Sequence, residues 1–375
     1  GDGGKVVLWS DITNADSVTT VDGTILAKAG AQSGDGGEIE TSGYKINYDK
    51  ATINAGSQTG VGGLWLIDPN TAFNVMTQDN ANIIASSLNT GTSVTNLVTS
   101  GDITFWDNVS ISKTSGGNAT LTLQTPNSIF MGTGSSIRST SGNLNIVLWS
   151  NSNSSNGGRI EIGDGVNLLS NGGNITLGGG SNPSTGYADG LTVARGLYVG
   201  ASAFIAANGG DISIRGKTSW NDYAWAVDIS GNVSTNGNGN ITIDGYASTG
   251  NHWTYGVLLR NAAVVQAQNG TINITGQGWG NSSTDRGVVL ENTSQINVTG
   301  NGTTNITGKA GSAVGLYLKD TSKISNASGQ ITIATDRLYM DSATRISSNG
   351  ASQTELTVKP TTAGRHIGIG SYDAG

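Results

Sequence analysis

A glycine-rich phrase that occurs twice near the start of the chain constrains the fold more than any other feature. Gly-Asp-Gly-Gly followed by a short alternating segment stands at 1–11 and again at 34–40. Each copy is a turn that leads into a strand, and variants of the unit recur to the end of the chain. Such repetition is typical of solenoids, whose units bury their apolar faces against one another. We therefore predict one continuous repeat structure over residues 1–375.

Three strand segments alternate from about residue 173 onward, with a period near 30 residues. The first stands at 174–177, 211–214, 240–243, 271–274 and 330–333, with a weaker copy at 303–306; the second at 190–193, 226–229, 256–259, 287–290 and 315–318; the third at 203–205, 264–265, 296–298, Val233, Ile324 and Ile346. Three strands per turn, each with alternating apolar residues, predict an all-β, three-sided parallel β-helix. The chirality of parallel crossovers favours a right-handed one.

The competing fold is a β-sandwich or barrel, but those folds favour antiparallel hairpins and seldom keep a three-strand period. One segment has a helical pattern instead. Ile84 and Leu88 are four residues apart, and Asn89-Thr90-Gly91 can end a helix. We therefore expect a short helix or irregular segment near residues 80–90.

Composition excludes several classes of protein. Charged residues are only 12% of the chain and glycine supplies 58 residues, yet the apolar residues cluster in strand-length groups, which argues against disorder. There is no cysteine, so disulfides and thiolate sites are absent. The net charge of −7 without a basic stripe argues against a nucleic-acid partner. No apolar run reaches the ~18 residues that a membrane helix needs.

Catalytic and metal-binding patterns are weak. Most carboxylates stand singly in turns, as Asp164 and Asp244 do, where local backbone hydrogen bonds explain them. Asp211 and Asp228 are the one pair that can lie on neighbouring faces. His252 and His366 are far apart and have no acidic or thiol partner at ligand spacing. We therefore predict no enzymatic activity, no metal site and no cofactor.

Aromatic residues gather in the corners between the first and second strands of the later repeats. The group comprises Trp220, Tyr223, Trp225, Trp253, Tyr255 and Trp279, with polar neighbours Asn221, Asp222, Asn251 and Asn281. Equivalent corners of a β-helix lie on one edge, so these rings can form a ladder that packs on the C–H faces of sugars. The alternative is that they cover the edge of the core. Trp9, Trp65 and Trp149, and also Trp106, are interpreted as strand residues that pack inward or at an edge.

The first half of the chain resembles a known family. The segments that carry the resemblance are 1–11, 23–30, 34–43, 64–70, 83–94, 111–117 and 144–148. Together they are similar to the filamentous haemagglutinin-like, high-molecular-weight adhesins that Gram-negative bacteria export by two-partner secretion. The resemblance covers residues 1–180; residues 181–375 carry generic repeats of about 30 residues with aromatic corner loops. The family's N-terminal secretion domain and its Asn-Pro-Asn motif are missing, which suggests a fragment taken downstream of that domain.

The resemblance implies a secreted or surface-displayed fibrous adhesin with a role in virulence. Its parent chain would pass through an outer-membrane transporter, and its partners would be glycans or receptors on host cells or other surfaces. Two other functions remain open: a carbohydrate-recognition module that uses the aromatic ladder, and a polysaccharide-active β-helix enzyme, which needs carboxylates gathered in one groove.

Overall fold

The computed structural model describes residues 1–70, 73–155, 157–191, 193–220, 222–248, 252–279, 282–348 and 355–366. The strands form a three-sided β-solenoid, and every pairing between them is parallel. The predicted all-β parallel fold is therefore confirmed. No helix in the described ranges has both the length and the apolar character that a membrane crossing requires.

The strands are numbered in chain order. A regular turn contains three strands, and each of them belongs to a different face of the solenoid. The first face contains β1 (Lys5–Trp9), β3 (Glu38–Gly43), β5 (Leu64–Pro69), β7 (Ser93–Leu97), β10 (Ala119–Gln124), β13 (Leu144–Ser150), β16 (Ile175–Gly179), β20 (Ile212–Thr218), β23 (Ile241–Ala247), β26 (Ile272–Gln277), β29 (Thr304–Lys309), β32 (Gln330–Thr335) and β35 (Glu355–Lys359), with β17 (Ala188–Gly190) beside β20. The second face contains β6 (Phe73–Met76), β8 (Asp102–Phe105), β11 (Ile129–Met131), β14 (Ile160–Ile162), β18 (Arg195–Val199), β21 (Asp222–Ile229), β24 (His252–Leu259), β27 (Arg286–Leu290), β30 (Val314–Leu318) and β33 (Leu338–Met340). The third face contains β9 (Ser110–Lys113), β12 (Ser136–Ser139), β15 (Asn167–Leu169), β19 (Phe204–Ala206), β22 (Asn232–Thr235), β25 (Val264–Ala267), β28 (Gln295–Val298), β31 (Lys323–Asn326) and β34 (Arg345–Ser348).

The core consists of columns of aliphatic side chains that run along the solenoid axis. Because successive residues of a strand point to opposite faces, the apolar member of each pair lies inside and stacks on its equivalent in the next turn. On the first face Ile214, Ile243, Ile274 and Ile306 are in register, and all four are fully buried. The residues between them point outward and are polar, so one side of each strand faces the core and the other faces solvent.

Some inward positions of this face are polar, and Thr304 is one of them. Thr304 lies in register with Ile272 and Ile331, and it is fully buried. Its hydroxyl donates to Oδ1 of Asn326 over 2.7 Å, so the buried polar group has a partner. The weaker sequence copy at 303–306 thus belongs to a regular strand. Its buried polar residue, Thr304, receives its hydrogen-bond partner from the third face.

The helix α1 (Gln78–Leu88) takes the place of a third-face strand. It packs against β9 on one side and against β4 (Lys45–Asn54) on the other, and β4 pairs with β2 (Val18–Leu26) in a separate two-stranded sheet. Ile84 and Leu88 are fully buried on its inner side, and Thr77 Oγ1 accepts a hydrogen bond from the Asn80 N–H at its start. The helix predicted near residues 80–90 is therefore confirmed.

Side chains also join successive turns at the corner that leads into the first face. The Oδ1 atoms of Asn145, Asn174, Asp211 and Asn240 each accept the backbone N–H of the equivalent residue one turn later, at 2.7–2.9 Å. Asn and Asp at these positions satisfy N–H groups that lie just outside the sheet. This explains why such turns are rich in these residues.

The second strand of one repeat was assigned wrongly from the sequence. Residues 190–193 match the pattern, but the strand that pairs with β21 is β18 at Arg195–Val199. Gly190 instead ends β17, and Leu191 is exposed. The extra residues of this turn form an insertion between β16 and β18. Because of the insertion, the residues that continue the inner columns of the second face are Leu197 and Val199.

Candidate functional site

The predicted aromatic group lies at the corner between the first and second faces, in the turns of β20, β23 and β26. Four of its members are partly exposed: Trp220 at 45%, Tyr223 at 61%, Trp253 at 42% and Trp279 at 40%. Trp220 and Trp279 lie between strands, and Tyr223 and Trp253 lie in the second positions of β21 and β24. The corner therefore presents aromatic surface to solvent in consecutive turns.

Tyr223 and Trp253 form the ordered part of this surface. Both have a positive φ, 52° and 57°, which interrupts the alternation of the strand and leaves two successive residues of each strand outside the core. Their rings are almost parallel, at an interplanar angle of 5°, with centroids 6.3 Å apart. In this offset stack each ring keeps part of one face open. Tyr223 and Trp253, both members of the predicted aromatic group, are thus stacked on each other across two successive turns.

Asp222 and His252 are polar neighbours of this stack. Asp222 Oδ1 accepts the His252 N–H over 3.0 Å, and the imidazole Nδ1 lies 3.7 Å from the same oxygen. Both side chains are largely exposed. Asn221, Asn251 and Asn281, which the sequence also placed here, lie outside the described residues.

Trp225 and Tyr255 belong to a different environment. They occupy equivalent positions of β21 and β24, and Arg195 and Arg286 occupy the same position in the turns before and after. Burial raises the pKa of Tyr255 well above that of a free tyrosine. The guanidinium carbons of Arg195 and Arg260 lie 5.1 and 5.0 Å from the Trp225 ring centroid. Trp225 is therefore a cation–π partner of two arginines, and Tyr255 is a largely buried packing residue, so neither ring is a free binding surface.

Both arginines also bind Asp228, whose side chain is fully buried. Arg260 is bidentate, with Nε 3.0 Å from Oδ1 and Nη2 2.8 Å from Oδ2, and Arg195 Nε lies 2.8 Å from Oδ2. Burial raises the pKa of the Asp228 carboxyl, and the two guanidinium groups act in the opposite direction. We call Arg195, Trp225, Asp228 and Arg260 the arginine clip, because it joins three successive turns of the second face.

The arginine clip explains the acidic pair that the sequence singled out. Asp228 is paired with two cations, whereas Asp211 is exposed and accepts the Asn240 N–H at the corner of the first face. Each carboxylate therefore has its own structural partner. In the described ranges, no group of three or more His, Asp or Glu residues is placed so that it can hold a metal ion.

Of the remaining tryptophans, Trp9 lies in the edge strand β1 of the first face, whereas Trp106 lies outside the strands. Trp65 is fully buried and packs edge-on against Tyr48, as expected for an inward strand residue. Trp9 and Trp106, in contrast, are 72% and 60% exposed. Trp106 lies just after β8 and lines a cavity of about 610 Å³ beside the start of α1. The sequence pattern missed this site because its parts come from segments up to 60 residues apart, which only the stacking of turns brings together.

No protein-family model matches the chain, and neither the curated proteins nor the solved structures contain a significant match to it. The resemblance of residues 1–180 to the filamentous haemagglutinin-like adhesins therefore stays a prediction.

Proposed function

We propose that this chain is a rigid shaft segment of a fibrous adhesin that is secreted or displayed on a bacterial surface. The observation that carries the proposal is the unbroken first face, in which thirteen strands pair in series over one hydrophobic core. With a strand spacing of about 4.8 Å, twelve intervals give a face about 58 Å long. A rod of this kind holds a binding surface away from the cell.

The hydrogen-bond direction supports a mechanical role. In a β-solenoid the ladder bonds run along the axis, so an axial force loads all the bonds between two turns together. The asparagine and aspartate links at the corners and the arginine clip add side-chain bonds in the same direction. The turns that are joined in this way therefore resist extension by backbone and side-chain contacts at once.

The partners and the route of export are part of this proposal. The resemblance of residues 1–180 to two-partner secretion adhesins supports an outer-membrane transporter for the parent chain and glycans or receptors on host cells or surfaces as targets. A catalytic role is not proposed, since Asp211 and Asp228 serve the scaffold.

Carbohydrate recognition at the aromatic corner is the second candidate. The exposed, nearly parallel rings of Tyr223 and Trp253 favour it, because partly open aromatic faces pack on the apolar faces of sugars. In this case the segment would bind as well as extend.

The test is binding of the purified chain to a glycan array and to epithelial cells. It compares the wild type with a Trp220→Ala/Trp253→Ala/Trp279→Ala triple variant and with Trp9→Ala, an exposed tryptophan outside the corner. Circular dichroism checks that each variant is folded. For a shaft, the aromatic corner contributes nothing to binding, so we expect the triple variant and Trp9→Ala to give the same signal as the wild type. Binding that is lost only in the folded triple variant would replace the shaft with a recognition module.

A further inference from the structure

The cavity beside α1 arises because a helix replaces a strand of the third face. A helix is wider than a strand, and its first residues line a cavity of about 610 Å³ together with the corner that follows β8. Its walls are Asp49 of β4, Asp79 and Asn80 at the helix start, and the turn Trp106, Asp107 and Asn108. A largely exposed tryptophan, Trp106, lines this concave site.

The indole of Trp106 is open to this cavity for a structural reason. Phe105 is in register with Met131, and Met131 with Ile162, so the positions equivalent to Trp106 in the next two turns are Gly132 and Gly163. Glycine contributes no side chain that covers the ring, and the ring stays 60% exposed. A large exposed apolar ring inside a concavity is typical of a binding surface.

The walls of the cavity are fixed by hydrogen bonds. Gln78 binds the Ser110 backbone twice, through Oε1 to N–H at 2.9 Å and through Nε2 to C=O at 3.0 Å. Asn80 Nδ2 donates to Asp49 Oδ1 over 3.0 Å, and Asp107 Oδ1 accepts the Thr133 N–H over 2.8 Å. The helix start, β4 and the turn after β8 are thus held in one arrangement before any ligand arrives.

Hydrogen-bond acceptors in the cavity remain available. Asp49 and Asp107 each use one carboxylate oxygen in the contacts above, and Asp79 has no hydrogen bond or ion pair with the described residues. No lysine or arginine lines the cavity. The carboxylates of Asp49, Asp79 and Asp107 are not placed so that they could hold a metal ion together.

We propose that this cavity binds a neutral pyranose sugar. The C–H face of the sugar ring packs on the Trp106 indole, and its hydroxyls donate to the carboxylates of Asp79 and Asp107, while Asn108 supplies an amide. Carboxylates are strong acceptors for sugar hydroxyls because a charged acceptor strengthens the hydrogen bond. The same three negative charges disfavour anionic sugars, since like charges oppose binding. The site is separate from the aromatic corner and does not depend on the shaft function.

The experiment is a titration of the purified chain with methyl glycosides of galactose, glucose, mannose and N-acetylglucosamine, and with a sialylated trisaccharide. Saturation-transfer NMR and tryptophan fluorescence report binding. We expect at least one neutral glycoside to bind, with a Kd on the order of 1 mM, as is reasonable for a single sugar ring. Neutral glycosides should bind more tightly than the sialylated probe.

Four variants locate the site. Trp106→Ala should weaken binding about tenfold or more, because it removes the stacking surface. Asp79→Asn should weaken it about threefold to tenfold, because a neutral acceptor replaces a charged one, and no hydrogen bond or ion pair among the described residues is lost. Trp9→Ala and Trp253→Ala, which remove exposed rings elsewhere, should leave the affinity unchanged.

Several results would overturn the proposal. They are absence of binding by the whole neutral panel, preference for the sialylated probe, or an affinity that survives Trp106→Ala. Loss of binding in Trp253→Ala alone would assign recognition to the aromatic corner instead. If Trp106→Ala fails to fold, Asp79→Asn decides, since an unchanged affinity in that variant also overturns the proposal.

Discussion

At the scale of single residues, we expect the inner columns to carry most of the stability. Ile243 lies between Ile214 and Ile274, and all three are fully buried. Replacing it with alanine leaves a cavity that two rigid neighbouring strands cannot close. We expect Ile243→Ala to lower the free energy of unfolding by about 2–5 kcal/mol.

The matched control is Thr242→Ala on the outer side of the same strand. Thr242 is outside the core, so its truncation should change stability by no more than about 0.5 kcal/mol. Guanidinium denaturation of both variants measures the difference. Equal destabilisation would mean that the columns do not carry the stability of the fold.

The arginine clip makes a second prediction at this scale. Asp228 is fully buried, whereas the side chains of Arg195 and Arg260 are 31% and 23% exposed. Asp228→Ala removes the anion from between two cations, so we expect a loss of about 3 kcal/mol in the free energy of unfolding. Asp211→Asn is the control: an amide oxygen can still accept the Asn240 N–H, and stability should hardly change. If Asp228→Ala leaves the free energy of unfolding unchanged, the arginine clip does not stabilise the fold.

The sequence predicted the columns but not the clip. Inward residues repeat as Ile, Val or Leu, and that pattern is visible in the chain itself. In the arginine clip, Arg195 lies 33 residues before Asp228 and Arg260 lies 32 residues after it. The insertion before β18 hides the alignment of Arg195 with the equivalent residues of the following turns. Asp228 therefore looked like a free carboxylate until the register placed two arginines beside it.

At the scale of elements, Asp336 holds the end of the solenoid. It follows β32 and accepts three hydrogen bonds: from the N–H groups of Thr361 and Thr362, both at 2.8 Å, and from the Thr362 hydroxyl. Burial raises the pKa of Asp336, but these hydrogen bonds to the ionised form outweigh it and lower the pKa to about 2. The carboxylate thus ties the residues after β35 to the preceding turn.

This contact predicts acid sensitivity of the last turn. Because the pKa of Asp336 is lower in the folded state than the ~3.9 of an unfolded chain, its stabilisation is present above about pH 4. It is lost as pH falls from about 4 towards 2. We expect the amide protection factors of Thr361 and Thr362 to fall over this range in the wild type. In Asp336→Asn, which cannot titrate, they should be lower at neutral pH and independent of pH; a wild-type response in this variant would contradict the assignment.

The success of sequence analysis at this scale depends on how regular each turn is. The helix was predictable because the apolar residues Ile84 and Leu88 have helical spacing. Both are buried in the structure. The second-face strand of the inserted turn was not, since residues 190–193 imitate the pattern that β18 fulfils. The cavity at Trp106 was also missed, because sequence spacing does not reveal that a helix widens the turn next to an exposed corner.

At the scale of the whole molecule, the solenoid is a stack of interchangeable turns whose register decides whether they fit. Ile274 is in register with Ile306, so deletion of residues 275–306 joins Ile274 to Thr307, which replaces its equivalent Thr275. All inner columns then continue across the junction, and the arginine clip stays intact. Since each turn contacts only its neighbours, we expect this variant to fold and to unfold cooperatively, at somewhat lower stability than the wild type.

A deletion one residue shorter tests the role of register directly. Removing residues 275–305 joins Ile274 to Ile306, which places Ile306 at the outward position of Thr275 and reverses the following alternation. A one-residue slip moves every side chain of a strand to the opposite face. We expect this variant to bind a hydrophobic dye, to aggregate and to lose its cooperative transition, as measured by dye fluorescence, light scattering and thermal circular dichroism. If both deletions behave alike, stability does not depend on continuous columns, and a rigid shaft built from them loses its physical basis.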